Sequence, residues 1–222
     1  MEALWLSMRL AACVAAILLL LGIPLAYWLS QSKWRGKFLL ESIVALPLVL
    51  PPTVLGFYLL AAMGANGPIG KLWMAWFGHT LAFTFLGLVV ASLFYSLPFA
   101  VQPLVGAFEN VDSRLLDAAA VLGAGRWRTF REIILPLSIP GVITAAVLSF
   151  AHTLGEFGVV LMVGGNVPGV TRTVSIDIYD RVQSFDYGAA NRMAIALLLI
   201  SFAVLSTIYA VNRRVWSPWP GK

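Results

Sequence analysis

The sequence predicts an all-α integral membrane protein. It has five transmembrane helices, a cytoplasmic loop with a short helix of its own, the N-terminus outside and the C-terminus inside. Three observations carry that expectation. Of 222 residues, 60% are hydrophobic and only 11% are charged, with mean hydropathy +0.88. An ordinary soluble domain is roughly 45–50% apolar and about 25% charged, so this chain has too few charges to cover a water-facing surface. Second, five long stretches lack Asp, Glu, Lys and Arg altogether. Third, lysine and arginine are shared unequally between the loops those stretches define. The composition disfavours both a soluble enzyme and a disordered chain. Residues 1–222 read as one transmembrane domain without internal repeats or low-complexity tracts.

The uncharged stretches locate the spans. They hold 23 residues between Arg9 and Lys33, 29 between Glu41 and Lys71, 37 between Lys71 and Glu109, 23 between Glu132 and Glu156, and 20 between Arg192 and Arg213. A helix crosses the hydrocarbon with about 20 residues at 1.5 Å each, so each stretch holds one span. Gly78-His79 marks a loop end inside the longest. The expected spans are about 8–30, 40–63, 80–105, 137–162 and 193–212. The cytoplasmic connection, about 106–136, and the external one, about 163–192, are too long to be simple turns, and long loops tend to carry function.

Orientation follows from the cations. One side holds Lys33, Arg35, Lys37, Arg114, Arg126, Arg128, Arg131, Arg213, Arg214 and Lys222; the other holds Arg9, Lys71, Arg172, Arg181 and Arg192. The richer side is cytoplasmic. The formal charge of +5 is therefore a matter of topology and attraction to anionic lipid, with no need of nucleic acid. Trp28, Trp34, Trp73, Trp76, Trp216 and Trp219 fall near span ends, as an interfacial belt does. The single cysteine, Cys13, excludes an intrachain disulfide and a multi-cysteine metal site. Leu10-Ala11-Ala12-Cys13 looks like a lipoprotein box, but the apolar run follows the cysteine instead of preceding it.

The cytoplasmic loop contains the most informative segment, from Glu109 to Gly125. Asp112 or Ser113 can cap a helix start. Leu115, Leu116, Ala119 and Leu122 recur at helical spacing as an apolar stripe, and three alanines permit close approach to another surface. Gly123 and Gly125 end the helix. The basic run Arg126-Trp127-Arg128-Thr129-Phe130-Arg131 follows, then Ile133-Ile134-Leu135-Pro136 leads into the fourth span. Such a helix is shaped as a knob for a groove on a partner.

Asp117-Ala118-Ala119, Gly123 and Ile133-x-Leu135-Pro136 resemble the signature E-A-A-x3-G-x9-I-x-L-P of bacterial ABC-importer permeases. Asp stands for the first Glu, which keeps the carboxylate and shortens its reach. Further stretches resemble the molybdate permeases of that group: Leu46–Gly56, Leu122–Arg128, Leu154-Gly155-Glu156-Phe157-Gly158 and Val167–Thr173. Gly155-Glu156-Phe157-Gly158 resembles sulfate permeases too. The resemblance covers about 40–195. It implies the type I (MetI-like) permease fold in a bacterial cytoplasmic, or inner, membrane. It also implies a homodimer, two cytoplasmic ABC ATPase subunits and an extracytoplasmic molybdate-binding protein. ATP and Mg would be used by the partner, with no cofactor and no metal on this chain. Asp117, Ala118, Ala119, Gly123, Ile133, Leu135 and Pro136 would then couple ATPase motion to alternating access. Sulfate, thiosulfate or tungstate are alternative cargoes.

Pathway candidates come from unusual residues at membrane depth. Pro47, Pro51 and Pro52 each remove a backbone donor within the second span. Such a helix is tolerated where neighbours or a cavity satisfy the freed carbonyls. It is either a broken helix lining a pathway or a packing kink. Pro98 and Pro103 in the third span favour the packing reading. Glu156 is the one acid at membrane depth, and a charge there costs roughly 2.5–3.5 kcal/mol on insertion scales, so it should face protein or water. A structural or gating role suits it better than contact with an anion. His152, four residues earlier, shares its helix face and is placed to pair with it. Ser149 and Thr153 offer hydroxyls, either to an anion or back to their own helix.

Outside, Ser175–Val182 reads as a short interfacial helix. Arg172, Arg181 and Arg192 either favour an anion at the entrance or balance Asp177, Asp180 and Asp186. His79 reads as interfacial. Gly70-Lys71 fails as a phosphate loop, because position 65 is Ala and position 72 is Leu. The chain thus has no ATPase site of its own, and no catalytic constellation is visible. That counts against a membrane-embedded lipid enzyme. A self-sufficient secondary transporter would leave the cytoplasmic knob without a use.

Overall fold

The computed structural model describes residues 2–215. Every regular element among them is helical. In chain order these are α1 (Glu2–Gln31), α2 (Lys37–Val49), α3 (Pro52–Met63), α4 (Pro68–Phe77), α5 (Phe85–Glu109) and α6 (Ser113–Val121). There follow α7 (Arg126–Leu137), α8 (Ile139–Gly155), α9 (Gly158–Gly164), α10 (Val174–Gln183) and α11 (Tyr187–Val215).

Three helices, α1, α5 and α11, are long and apolar enough to cross a membrane. Two bent pairs, α2 with α3 and α7 with α8, also pass when each is taken together, which gives up to five spans. The ends differ from the expected ones. The first span is a helix from Glu2, well before residue 8. The third begins at Phe85 and not at 80, because residues 78–84 form a loop in which Phe83 takes φ 63°. The expected fourth span, 137–162, is interrupted: α8 stops at Gly155 and α9 restarts at Gly158. A further helix, α4, fills the stretch after Met63 that was expected to be loop. Proline at its N-terminus and left-handed Gly78 at its C-terminus bound it. Trp216, Trp219 and Lys222 lie outside the described residues.

The second span breaks for a stereochemical reason. A residue before proline is pushed to extended backbone. Leu50 and Pro51 both precede a proline and take ψ 134° and 136°. Pro52 then starts α3 at the one helical position where its missing N–H costs nothing. The result is a 112° bend. By contrast Pro98 and Pro103 lie inside an unbroken α5.

Helices α1, α5 and α8 pack on one another at the centre. Leu6, Leu10, Val14 and Leu18 of α1, four residues apart, meet Leu88, Val89 and Val160 toward the outer end. Ala26, Leu29, Leu104, Phe108, Phe130, Ile134 and Ala145 form a second cluster toward the basic end. Lipid is as apolar as leucine, so close packing of small residues carries much of the helix association. Gly141 sits directly against Ala107, where even a Cβ would collide. Cys13 is half-buried beside the outer cluster. Helix α11 is peripheral: only 11% of its most apolar window is buried.

Candidate functional site: a coupling helix and a cavity between interrupted spans

The loop after α5 is built to present α6. The side chain of Asp112 accepts a hydrogen bond from the Arg114 N–H at 2.9 Å, capping the helix start. At the other end Gly123 takes φ 75°. The Gly123 N–H donates to the Ala120 carbonyl at 3.0 Å and the Ala124 N–H to that of Ala119 at 2.9 Å. These two bonds make a complete Schellman stop, which explains why glycine stands there.

The expected single apolar stripe is instead split between two faces. Leu116 and Ala119 turn inward, with Leu116 against the Phe108–Phe130 cluster. Leu115, Asp117, Ala118, Val121 and Leu122 turn outward, and Val121 and Leu122 are 87% and 84% exposed. Val121, which the spacing argument did not select, is the most exposed apolar residue of the face. The two ends of the signature therefore do different work. Ala119 and Gly123 shape the helix, while Asp117 and Ala118 are offered to whatever lies outside.

The second half of the signature explains itself through proline. Pro136 cannot donate to the carbonyl of Glu132 and would clash with it. The chain responds with a wide turn over Phe130–Ile134, in which the Leu135 N–H reaches the Phe130 carbonyl. Ile133 and Leu135 are half-buried and Pro136 exposed. Ser138 then marks a 69° bend into α8, and its hydroxyl donates to the Ala107 carbonyl at 3.2 Å. Close by, Lys37 lies between Glu41 (3.2 Å) and Glu109 (3.4 Å). Partial desolvation disfavours its ammonium, but the two carboxylates outweigh that and hold it above the ordinary lysine range.

At membrane depth the two interrupted spans touch each other. Around their contact is a cavity of about 630 Å³, lined by Pro52, Thr53, Tyr95, His152, Gly155 and Glu156 among others. Of the pathway candidates, Pro52, His152 and Glu156 thus come together. Pro51 forms the break beside them, and Pro47 lies within α2. His152 and Glu156 do not pair. The helix ends at Gly155, so the expected shared face is lost at Glu156. The His152 Nδ1 is instead bonded to the Ser96 hydroxyl at 2.9 Å, with its ring stacked on Phe99 at 3.9 Å. Ser96 also bonds the Thr153 hydroxyl at 2.9 Å. Glu156 is 4% exposed and its carboxylate has no aligned hydrogen bond among the described residues; Ser92, equally unsatisfied, approaches it. Ser149 bonds back to Ala145 in its own helix. Ser96, which ties α5 to α8, had no sequence signal beyond being a serine in an apolar helix.

On the outer side the arginines mostly find local partners. Arg181 meets Asp177 and Asp186 at 3.2 and 3.4 Å, and Arg172 meets Asp180 at 3.7 Å. The interfacial helix expected at 175–182 is α10. Its first residue is fastened to α1 by a buried bond from the Val174 N–H to the Ser7 hydroxyl at 2.8 Å.

This fold is that of a type I ABC-importer permease. A chain of the crystal structure of a bacterial ABC transporter involved in import of the acidic polysaccharide alginate superposes with TM-score 0.78. The match covers 97% of this chain and 79% of that one, at 17% identity. The chain belongs to the family of binding-protein-dependent transport system inner membrane components, which matches it over residues 19–217. It is 53% identical over 213 residues to the molybdenum transport system permease protein ModB of Azotobacter vinelandii, covering 96% of this chain and 94% of that protein. It is 35% identical over 206 residues to the sulfate transport system permease protein CysT of Escherichia coli, covering 92% and 74%.

Proposed function

We propose that this chain is the permease subunit of an ATP-driven importer for molybdate in the bacterial inner membrane. Two copies enclose the pathway, two ABC ATPases dock on the cytoplasmic side and a molybdate-binding protein delivers cargo outside. The observation that carries this reading is the outward face of α6. Val121 and Leu122 stand nearly bare at the end of a helix capped at its start and closed there by a Schellman stop. Exposed apolar residues on a rigid helix are a docking surface, and the ATPase is the partner that the family supplies. Asp117, Ala118, Ala119, Gly123, Ile133, Leu135 and Pro136 form the coupling unit.

The cavity at the crossing of the interrupted spans is the pathway element. Pro47, Pro51 and Pro52 open the backbone on one side. His152 and Thr153 hold the other side through Ser96. Glu156, a carboxylate beside a route for a dianion, acts as a gate and not as a ligand. The 53% relative favours molybdate over sulfate. The deciding experiment measures uptake of molybdate, tungstate and sulfate in a strain lacking this chain, complemented with it. ATPase-dependent molybdate uptake is the expected result. Transport in liposomes without any ATPase would sink the proposal.

A further inference from the structure

At the basic end, between the last turn of α1 and the coupling helix, lies a separate cavity of about 590 Å³. Lys33, Arg126 and Ser32 line one part of it; Trp28, Leu116 and Ile134 line another. No carboxylate among the described residues lines it. Elsewhere on this end Lys37 is held by Glu41 and Glu109, and Arg128 by Glu132. Lys33 and Arg126 have no acidic partner within ion-pair distance among the described residues. Arg35, Arg114 and Arg131 are unpaired too, but none of them lines this cavity. Two cations from distant parts of the chain therefore share one recess with a hydroxyl and no counter-charge.

The recess asks for a phosphate-type anion, and its setting selects the source. Trp28 and Trp34 lie beside each other at 6.4 Å, at the level where indole rings settle between water and lipid. The wall of Trp28, Leu116 and Ile134 is apolar. A free ion would gain nothing from it, while the glycerol and first methylenes of a lipid would. Basic pockets between spanning helices on the cytoplasmic side are suited to anionic headgroups. We propose that this cavity holds the phosphate headgroup of an anionic phospholipid of the cytoplasmic leaflet. Seated there, the lipid bridges α1 to α6 and α7 and braces the coupling helix against the first span.

The test uses the assembly as extracted from membranes, in nanodiscs of phosphatidylcholine doped with phosphatidylglycerol. Retained lipid is counted by native mass spectrometry. Wild type and Arg35→Gln keep phosphatidylglycerol, and Lys33→Gln with Arg126→Gln keeps roughly tenfold less. Ser32→Trp narrows the recess without touching a charge and lowers retention as well; it decides the matter alone if the double variant does not assemble. Excess inorganic phosphate leaves the lipid in place. Equal retention by wild type and both cavity variants would overturn the proposal. An equal loss in Arg35→Gln would overturn it as well, since surface charge in general would then suffice. Displacement by phosphate would assign the recess to a free anion and so refute a lipid occupant.

Discussion

Gly158 stands so close to Pro52 that a Cβ on the glycine would lie 2.7 Å from that of the proline. The two interrupted spans are thus in contact at their own breaks, one supplied by Pro51-Pro52 and the other by the stop at Gly155. Gly56 repeats the arrangement one turn further, where a Cβ would fall 2.9 Å from that of Met162. Gly158→Val must push the breaks apart. Overpacking of this kind costs about 1–3 kcal/mol. The expected outcome is a lower melting temperature in detergent and loss of uptake, whereas Gly106→Ala, inside α5 with open space around it, keeps uptake and leaves the melting temperature equal or higher.

Gly123 separates backbone strain from crowding. No other described residue comes within 4 Å of where its Cβ would be, so Gly123→Ala pays only for the left-handed conformation, about 1–2 kcal/mol. Asn, which tolerates that conformation better, should behave more like glycine. Gly123→Trp carries the same left-handed strain as Ala and adds bulk that cannot seat in a partner cleft. It should insert normally while ATP hydrolysis and uptake become uncoupled. Normal molybdate uptake by the Trp variant would argue against a coupling role.

The outward face of α6 should tolerate polarity as far as folding is concerned. Val121→Asp and Leu122→Asp place charges on exposed positions, so thermal stability should move by less than about 0.5 kcal/mol. Their effect should appear in co-purification of the ATPase, which should weaken tenfold or more if these are docking residues. Leu116→Asp is the contrasting variant: half-buried against the Phe108–Phe130 cluster, it should lower stability as well.

Ser96→Ala removes the shared partner of His152 and Thr153 and leaves two polar groups unsatisfied. A loss of about 1–3 kcal/mol in stability follows, readable by thermal unfolding of the purified protein. His152→Phe keeps the stacking on Phe99 and removes the bond to Ser96, which keeps Thr153. It should therefore cost less in stability. If His152 lies on the pathway, the Phe variant still lowers the uptake rate.

How far the sequence discloses these features depends on their physical origin. Apolar helices rest on charge-free length, which the membrane imposes residue by residue, and three to five of them were legible that way, though not their ends. The helix of the cytoplasmic loop was legible because Asp112 and Gly123 are local signals. Its facing was not. Leu115, Leu116, Ala119 and Leu122 have compatible spacing, and only the packing of Phe108 and Phe130 decides that Leu116 turns inward and Leu122 outward. The proline break was legible from Pro51-Pro52, while the stop at Gly155 was not, since Gly155-Glu156-Phe157 lacks any proline. The pairing of His152 with Glu156 failed for that reason. A four-residue spacing relates two side chains only while the helix continues between them.

The turn over Phe130–Ile134 has a mechanical consequence. Its widened hydrogen bonding and the 69° bend at Ser138 make α7 a crank set between two levers. The inner arm is packed through Phe130 and Ile134. Were a partner to press on the loop's surface, the thrust would pass to α8, whose last turn carries His152 and Gly155 to the cavity wall.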